Sequence, residues 1–363
     1  MFTNYKIKNI ESIETPEHLI FEDKVINNIN SIISLVGDKK RIVPHAKTHK
    51  SKDTLKILID HGITRHKTST IKELETLAEC KPEELILAYP IASKIKAKRL
   101  EKIVKKFPQT KFSTIVSNNF HFDLIKDISN LNGIYIDLDT GMNRTGILEE
   151  KVDELLEYVV SEKKQKINGI HAYDGQTYGV TSIEDRVIDT KKSLSAIRNV
   201  EKLMKEKFSI IPEIIVGGSW SFHFYIDEKD IKLSPGTWIY WDASNIRQKE
   251  LNFEIAGVVL GQVIDHNIEN ETVTIDIGAK AISSDPLTES RLQLVDKPNA
   301  KLVHQNEEHG IIKLNGEKLK LGDYVLAQPG HACTLTPKYN RALKIDKNGD
   351  VSGLITPHAR DRV

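Results

Sequence analysis

Residues 63–90 read ITRHKTSTIKELETLAECKPEELILAYP and contain one complete strand–helix–strand pattern. The first and last segments, ITRHKTST (63–70) and LILAYP (85–90), have the length and composition of short strands. Between them, helical periodicity puts four apolar side chains of IKELETLAEC (71–80) on one face: Ile71, Leu74, Leu77 and Ala78. A strand, an amphipathic helix and a second strand make up the repeating unit of an α/β protein.

The same alternation extends from about residue 42 to 238. The other β-rich runs are IVPHAK (42–47), FSTIVS (112–117), IYIDLDT (134–140), INGIHAY (167–173), IPEIIVGGS (211–219) and IKLSPGTW (231–238). A second clear helix, within 149–163, groups Val152, Leu155, Leu156 and Val159. Eight strand candidates, most of them followed by a helix, predict a (β/α)8 TIM-type barrel. An open doubly wound sheet has the same periodicity and stays an alternative.

After about residue 250 the character of the chain changes. Runs such as EIAGVVLGQVIDHN and DYVLAQPGHACTL read as strands separated by turns, and Asn348-Gly349 suits a two-residue hairpin loop. The sequence therefore predicts two domains. We expect a barrel domain over residues 22–248 and a mostly antiparallel β domain over 249–363, joined by residues 1–21.

The bulk composition excludes several classes of protein. Among 363 residues, 52 Lys and Arg balance 51 Asp and Glu, so the basic stretch RIVPHAKTHKSK (41–52) is local and does not indicate a nucleic-acid binder. No apolar run is long enough to span a bilayer, and the first 21 residues lack the apolar segment of a signal peptide. Cys80 and Cys333 are the only cysteines. A cytoplasmic protein without a disulfide framework is expected.

Functional residues of a barrel lie where strands end and loops begin. Those positions here include Lys47, Arg144, the stretch HAYDGQ (171–176) and Gly217-Gly218-Ser219. Paired glycines bring backbone N–H groups close to a phosphate, although a Gly-Gly pair is more often only a tight turn. Arg144 suits a carboxylate or phosphate partner, or a solvated surface.

PGHACTL (329–335) carries a more specific signal. On a predicted strand, His331 and Cys333 point to the same face, and an imidazole beside a thiolate is a natural start for a Zn²⁺ site. Two protein ligands leave coordination positions open, as in a catalytic metal site. The alternative is a buried cysteine beside a core histidine. The neighbouring NEEHG (306–310) has carboxylates that would support a metal or simply be solvated.

Taken together, these segments resemble the D-threonine aldolase/D-serine dehydratase family. The matching segments include PHAKTHK (44–50), TSTIKELETL, LILAYP, DTGMNRTG, HAYDG, VGGS, SPGTWIYWD, DIGAKAISSD, EEHG and PGHAC. Members of that family are fold-type III pyridoxal-phosphate enzymes with a barrel like that of alanine racemase. The resemblance covers nearly the whole chain, and PHAKTHK with a distant His-x-Cys is specific to it.

The resemblance implies roles for individual residues. Lys47 would form the Schiff base with pyridoxal 5′-phosphate, and Pro44 and His45 would line the approach to it. Arg144 would contact the pyridine nitrogen, while Tyr173, Gly217, Gly218 and Ser219 would bind near the phosphate. His331 and Cys333 would hold a divalent metal. Zinc suits the thiolate, whereas manganese or magnesium would prefer a carboxylate.

The implied substrates are D-3-hydroxy amino acids, and two reactions stay open. Retro-aldol cleavage would give glycine and an aldehyde; removal of the Cα proton would instead expel the hydroxyl, as in a dehydratase. Gln176 stands where aldolase-like sequences often have a histidine base, which weakens the aldolase interpretation, whereas the overall run of motifs favours it by a small margin. An amino-acid racemase and a non-catalytic cofactor-binding protein are further alternatives. Relatives with this two-domain plan are usually homodimers.

Overall fold

Residues 2–363, the part of the chain that the computed structural model describes, contain sixteen strands and eight α-helices. The strands are β1 Glu17–Phe21, β2 Arg65–Thr68, β3 Glu84–Leu87, β4 Lys111–Val116, β5 Gly133–Leu138, β6 Ile167–Ala172, β7 Glu213–Val216, β8 Ile231–Leu233, β9 Gly257–Asn267, β10 Thr272–Ile275, β11 Leu292–Leu294, β12 Lys301–Gln305, β13 Gly310–Lys313, β14 Tyr324–Pro329, β15 Ala342–Ile345 and β16 Val351–Ile355. The helices are α1 Glu22–Val36, α2 Lys52–Asp60, α3 Ile71–Ala78, α4 Lys94–Lys106, α5 Asn119–Ile125, α6 Val152–Glu162, α7 Ile183–Phe208 and α8 Ala332–Leu335.

The chain divides into two compact units. The barrel unit comprises Ile33–Lys47, Leu55–Gly236 and Asp361–Val363; the β unit comprises residues 2–32, Thr48–Thr54 and Thr237–Arg360. Within the described residues, no helix has the length and apolar character that crossing a membrane requires.

The barrel unit is built on a parallel sheet in the order β2-β3-β4-β5-β6-β7-β8. Residues 42–46 link its two edges, because Ile42 bridges Leu233 of β8 and His45 bridges Lys67 of β2. The predicted α/β barrel is confirmed, with one correction: IVPHAK is not a regular strand. Pro44 has no N–H to donate, which interrupts a continuous ladder.

The predicted helix faces are confirmed. Ile71, Leu74, Leu77 and Ala78 of α3 are buried, as are the four predicted positions of α6. The start of α3 is fixed locally: the Thr70 hydroxyl accepts a hydrogen bond from the amide of Glu73, whose carboxylate accepts from the amide of Ser69. This reciprocal arrangement satisfies amide groups that the first turn of a helix leaves open.

At one end of the barrel interior, a group of charged and polar side chains is joined by hydrogen bonds. It consists of Arg65, Glu84, Glu213 and Tyr135 and is here termed the Arg65 cluster. The Arg65 guanidinium donates to Glu84 at 2.8 Å and to both carboxylate oxygens of Glu213 at 2.6 and 2.9 Å. The Tyr135 hydroxyl donates to Glu213 at 2.7 Å. Arg65, Glu84 and Glu213 are the first residues of their strands, so the cluster lies at the N-terminal end of the sheet. An apolar layer of Val43, Ile86, Ile115, Tyr135 and Ile215 fills the interior beyond it.

The β unit is a mostly antiparallel sheet in the order β12-β13-β10-β9-β1-β15-β16, with β14 also paired to β9 and to β11. The N-terminal strand β1 lies between β9 and β15, antiparallel to the first and parallel to the second. The predicted hairpin at Asn348-Gly349 exists but its loop is longer than two residues. Asp346 and Asp350 close it, and only Gly349 of the predicted pair has a positive φ, +89°.

Candidate functional site

Lys47 follows the segment that joins the edges of the barrel sheet. The backbone of this segment is held on β2, because the Ala46 amide donates to the Lys67 carbonyl at 2.8 Å and the Lys67 amide donates to Pro44 at 2.8 Å. His45 Nδ1 accepts from the Lys47 amide at 3.3 Å. The sequence-predicted pair His45 and Lys47 therefore shares one rigid turn at the barrel edge.

Tyr173 brings two distant predicted residues together. Its ring centroid lies 5.4 Å from Lys47 Nζ and 5.1 Å from the Arg144 guanidinium carbon. The loop that carries Arg144 is shaped by Asp139, whose carboxylate accepts from the amides of Gly141 and Asn143 at 2.9 and 3.2 Å. The structure thus places an amine, a guanidinium and a phenol from three separate loops in one locality.

The turn at residues 217–219 packs against the same tyrosine. Gly217 has φ +90°, and a Cβ on Gly218 would lie 2.7 Å from Tyr173 Cε2, so neither position tolerates a side chain without a shift. The Gly218 amide donates to Ser221 Oγ at 2.9 Å, and Ser221 Oγ donates to the buried carboxylate of Asp174 at 2.6 Å. This internal bond differs from the expectation that the glycine amides point to a ligand.

Other groups beside this turn are suited to bind an anion. The Ser234 amide donates to the Val216 carbonyl, which places Ser234 next to Gly217. The Ser234 side chain is 3% exposed and its Oγ has no hydrogen-bond partner among the described residues. Ser219 Oγ accepts from the Gly236 amide at 3.2 Å. A buried hydroxyl lacking a partner beside two glycines fits an absent anionic group such as a phosphate.

Three polar residues that the sequence did not single out as a group lie in the barrel interior. His171 Nδ1 is 2.7 Å from Asp137 Oδ1, and His171 Nε2 is 2.9 Å from Lys67 Nζ. Burial and the charge of Lys47 lower the pKa of Lys67 to about 7. Burial and the charge of Lys67 lower the pKa of His171, against the opposing effect of Asp137.

Gln176 is engaged in contacts within the barrel unit. Its Nε2 donates to the Thr140 carbonyl at 3.0 Å and to Ser193 Oγ at 3.1 Å. Its Oε1 is buried and has no hydrogen-bond partner among residues 2–363. An amide cannot take up a proton, so a catalytic role for Gln176 is confined to hydrogen bonding and stays a prediction.

In the β unit, the structure corrects the predicted strand at PGHACTL. β14 ends at Pro329, and Cys333 lies in the short helix α8, with His331 just before it. The chain turns because the buried Asp242 carboxylate accepts from the Ala332 amide at 3.0 Å. Gly330 permits the turn, since a Cβ there would lie 2.0 Å from the Ser290 carbonyl oxygen. His331 and Cys333 are nevertheless close enough for their side chains to hydrogen-bond.

Asp285 and two threonines surround this pair. His331 Nδ1 lies 2.5 Å from Asp285 Oδ2, and Cys333 Sγ lies 3.1 Å from the Thr48 hydroxyl and 3.5 Å from that of Thr237. Burial would lower the pKa of His331, but the hydrogen bonds with Asp285 and Cys333 raise it. A carboxylate on Nδ1 leaves Nε2 as the nitrogen for a metal, the usual arrangement around zinc-binding histidines.

His331 and Cys333 could serve as donors to a metal, with Asp285 hydrogen-bonded to the histidine. Among residues 2–363, no group of three or more His, Cys, Asp or Glu side chains is arranged to hold a metal ion. Glu307 and Glu308 of NEEHG are exposed and pair with Lys280, at 2.5 and 3.1 Å. An imidazole and a thiolate fit a zinc site whose other positions are open.

Sequence reasoning did not identify four buried or partly buried polar residues of these sites, because the groups they contact are distant in the chain. These residues are Lys67, Asp137, Asp242 and Asp285. A usable signal was present: strands of a parallel barrel are covered on both faces, so a charged residue within one is expected to be buried and to need a polar partner. Lys67 and Asp137 meet that condition, whereas Asp242 and Asp285 lie in loops with no such signal.

Two family models match different parts of the chain. Residues 20–243 match the model described as "Alanine racemase, N-terminal domain", and residues 256–345 match "Putative serine dehydratase domain". A curated relative, 3-hydroxy-D-aspartate aldolase of Paracoccus denitrificans (strain Pd 1222), is 23% identical over 343 residues, which cover 88% of this chain and 85% of the relative.

Two solved structures share the fold. D-threonine aldolase from Filomicrobium marinum has a TM-score of 0.88 at 18% identity, covering 99% of both chains. D-threo-3-hydroxyaspartate dehydratase from Delftia sp. HT23 has a TM-score of 0.83 at 17% identity, covering 95% of this chain and 98% of that one. At these identities the likeness shows a common fold.

Proposed function

The chain belongs to the alanine racemase N-terminal domain family, and we propose that it is a lyase that uses pyridoxal 5′-phosphate and a divalent metal to cleave D-3-hydroxy amino acids. The observation that carries the proposal is the convergence of Lys47 and Arg144 on the ring of Tyr173, beside the glycine turn at 217–219. An amine, a fixed cation and an anion-binding turn are the parts that this cofactor requires.

The residues of the barrel unit fit the cofactor. Lys47 would hold its aldehyde carbon covalently, Arg144 would face the ring nitrogen, and Ser219 with Ser234 would bind the phosphate beside Gly217, Gly218 and Tyr173. When bound, the cofactor supplies an electron-withdrawing ring that stabilises negative charge at the substrate Cα. A guanidinium at the ring nitrogen disfavours protonation there, which weakens that withdrawal.

The residues of the β unit fit a metal. His331 and Cys333 would bind it, and Asp285 would orient His331 through Nδ1. When bound, the metal supplies a Lewis acid for the substrate hydroxyl. We propose zinc, in preference to manganese or magnesium, because the Cys333 thiolate is a soft ligand.

Retro-aldol cleavage is the favoured reaction, because the curated relative of Paracoccus denitrificans is an aldolase for a 3-hydroxy-D-amino acid. A dehydratase is the second candidate. It is supported by the match of residues 256–345 to a serine dehydratase domain and by Gln176, which cannot deprotonate a hydroxyl. Cys333, as a proposed metal ligand, is compatible with both the aldolase and the dehydratase reaction.

Reconstitution with cofactor and zinc tests the proposal. We expect an absorption band near the visible edge that is lost in Lys47→Ala and kept in Lys56→Ala, an exposed lysine of α2. D-threonine should then give glycine and acetaldehyde. Formation of 2-oxobutanoate and ammonia would establish the dehydratase instead. A protein that stays colourless with added cofactor would contradict both, and chelator-resistant alanine racemisation would establish a racemase.

The metal is tested separately through the two cysteines of the chain. Cys333→Ser should lose zinc stoichiometry and at least about 10-fold in activity, as expected when a ligand set is disturbed. Cys80→Ser, the matched control, should keep both. The cofactor band should survive in both variants. Full zinc content in Cys333→Ser would contradict the proposed ligand. A homodimer in the cytoplasm remains an expectation from the sequence. Light scattering of the purified protein tests its oligomeric state.

A further inference from the structure

Asp137, His171 and Lys67 form a row of buried titratable side chains in the barrel unit. The three residues come from β5, β6 and β2 and are 4%, 4% and 1% exposed. Asp137 and His171 are register partners on adjacent strands, whereas Lys67 reaches His171 across the interior. Two hydrogen bonds, at 2.7 and 2.9 Å, join the row.

The chemistry of the three groups fixes where the protons lie. An ionised carboxylate only accepts hydrogen bonds, so His171 Nδ1 must carry a proton and donate it to Asp137. Nε2 of the neutral ring then accepts from Lys67 Nζ. A doubly protonated ring would direct a second N–H at the Lys67 ammonium, and two donors would face each other. Lys67 and His171 therefore accommodate one proton between their facing nitrogens.

The surrounding charges limit that pair to one proton. Lys47 and Arg144 are cations that disfavour a charge on Lys67, while Asp137 and Asp174 favour it. The backbone holds Lys67 next to the segment that carries Lys47, through the two hydrogen bonds with Pro44 and Ala46. A buried proton site with two cations and two carboxylates around it is finely balanced.

We propose that Lys67 is a positioning residue that holds His171 in its neutral, Nδ1-protonated form, and that the two side chains share a single proton. The use of this pair in turnover rests on the proposed function: it would place a proton-accepting nitrogen in the same interior as Lys47. The placement of the proton itself is a property of the chain and is present without cofactor.

The test uses the full chain, free of cofactor, with ¹⁵N-labelled histidine and two-bond ¹H–¹⁵N spectra at pH 6 to 9. His171 is assigned by the signals lost in His171→Gln. We expect the wild-type ring to be the Nδ1–H tautomer at pH 8. In Lys67→Met the titration midpoint of the His171 ring should move upward by about one pH unit or more, because the variant lacks the lysine charge that disfavours the imidazolium.

Two variants serve as controls. Lys67→Arg keeps a charged donor and should keep the tautomer. Lys24→Met removes a buried lysine of the β unit, paired with Glu254 at 2.7 Å, and should leave the His171 signals unchanged. An Nε2–H tautomer in the wild type, or an unchanged His171 titration in Lys67→Met, would overturn the proposal.

A second measurement, which does not use Lys67→Met, applies if that variant does not fold. In ¹³C,¹⁵N-lysine protein, the Lys67 side chain is assigned by its absence from the Lys67→Arg spectrum. Its titration and that of the His171 ring should share one midpoint, and two separate midpoints would overturn the proposal. Because these spectra need no cofactor or substrate, failure to detect a lyase would refute the proposed function and leave this result standing.

Discussion

Two groups of buried charges occupy the barrel interior and differ in how their charges are balanced. In the Arg65 cluster, one guanidinium donates hydrogen bonds of 2.6 to 3.3 Å to two carboxylates and a phenol. Around Lys67, the cations Lys47 and Arg144 compete with Asp137 and Asp174. The first group lies at the strand starts, and the second lies two residues further along β2.

The pKa directions follow from that difference. Burial works against the charge of Arg65, but the hydrogen bonds to Glu213 and the charge of Glu84 outweigh it and raise the pKa. For Lys67, burial and Lys47 act together and lower the pKa to about 7. The surroundings of Arg65 therefore favour its charged form, whereas those of Lys67 disfavour its charged form. In barrels, the carboxyl ends of strands carry chemistry and the opposite ends carry stability.

The largest effect is expected from Arg65→Met. It leaves the buried Glu84 carboxylate without its cation and Glu213 with only Lys232, at 3.7 Å. Removing one partner of a buried ion pair typically costs about 3–5 kcal/mol of the free energy of unfolding. Urea unfolding measures the loss. Arg341→Met, which breaks an exposed pair with Glu17 at 3.4 Å, should cost less than about 1 kcal/mol. Equal losses in the two variants would remove the distinction between a buried and an exposed charge network.

A smaller loss is expected from Ser221→Ala. Asp174, a buried carboxylate near Lys67, accepts hydrogen bonds from Ser221 at 2.6 Å and from Tyr225 at 2.8 Å. Removing the hydroxyl leaves a buried carboxylate oxygen and the Gly218 amide short of a partner, at about 2 kcal/mol. Ser161→Ala, which removes an exposed hydroxyl, should cost a few tenths. A loss of stability no greater than that of Ser161→Ala would show that the turn does not depend on Ser221.

Measured per pH unit, the smallest effect is the pH dependence of stability due to Lys67. Between pH 7 and 10.5 the unfolded chain binds a proton on this residue that the folded chain does not, so the penalty on folding is greatest below pH 7 and falls as the pH rises. From pH 7 to 10, the free energy of unfolding of the wild type should increase by about 1 kcal/mol per pH unit more than that of Lys67→Met. Urea unfolding at four pH values measures it. Parallel pH curves for the two proteins would show that Lys67 keeps its ordinary proton affinity.

The periodic parts of the fold were predictable from the sequence, because they depend on local spacing. The apolar faces of α3 and α6 are buried as their periodicity indicates. The prediction of a strand at IVPHAK was wrong because Pro44 interrupts the ladder of backbone hydrogen bonds. The prediction of a strand at His331 was wrong because Asp242, which is distant in the sequence, accepts a hydrogen bond from the Ala332 amide. Local pattern carries no information about such a partner.

The candidate site divides in the same way. Motif residues such as Lys47, Arg144 and Tyr173 were identified from the sequence, and the structure brings them together, while their roles stay predictions. The contact between Lys67 and His171 was not predicted, because it depends on the distance across the barrel interior. Pairings of that kind depend on strand number and register, which a single sequence does not disclose.

The position of β1 has a consequence for how the chain acquires its structure during synthesis. Leu19 of β1 pairs with Val258 on one side and with Leu343 on the other, so one of the earliest strands made is completed by one of the last. Closing such long loops is entropically costly and slow. Until β15 emerges from the ribosome, the apolar segment EHLIF has an open edge, which makes the nascent chain a candidate for chaperone binding.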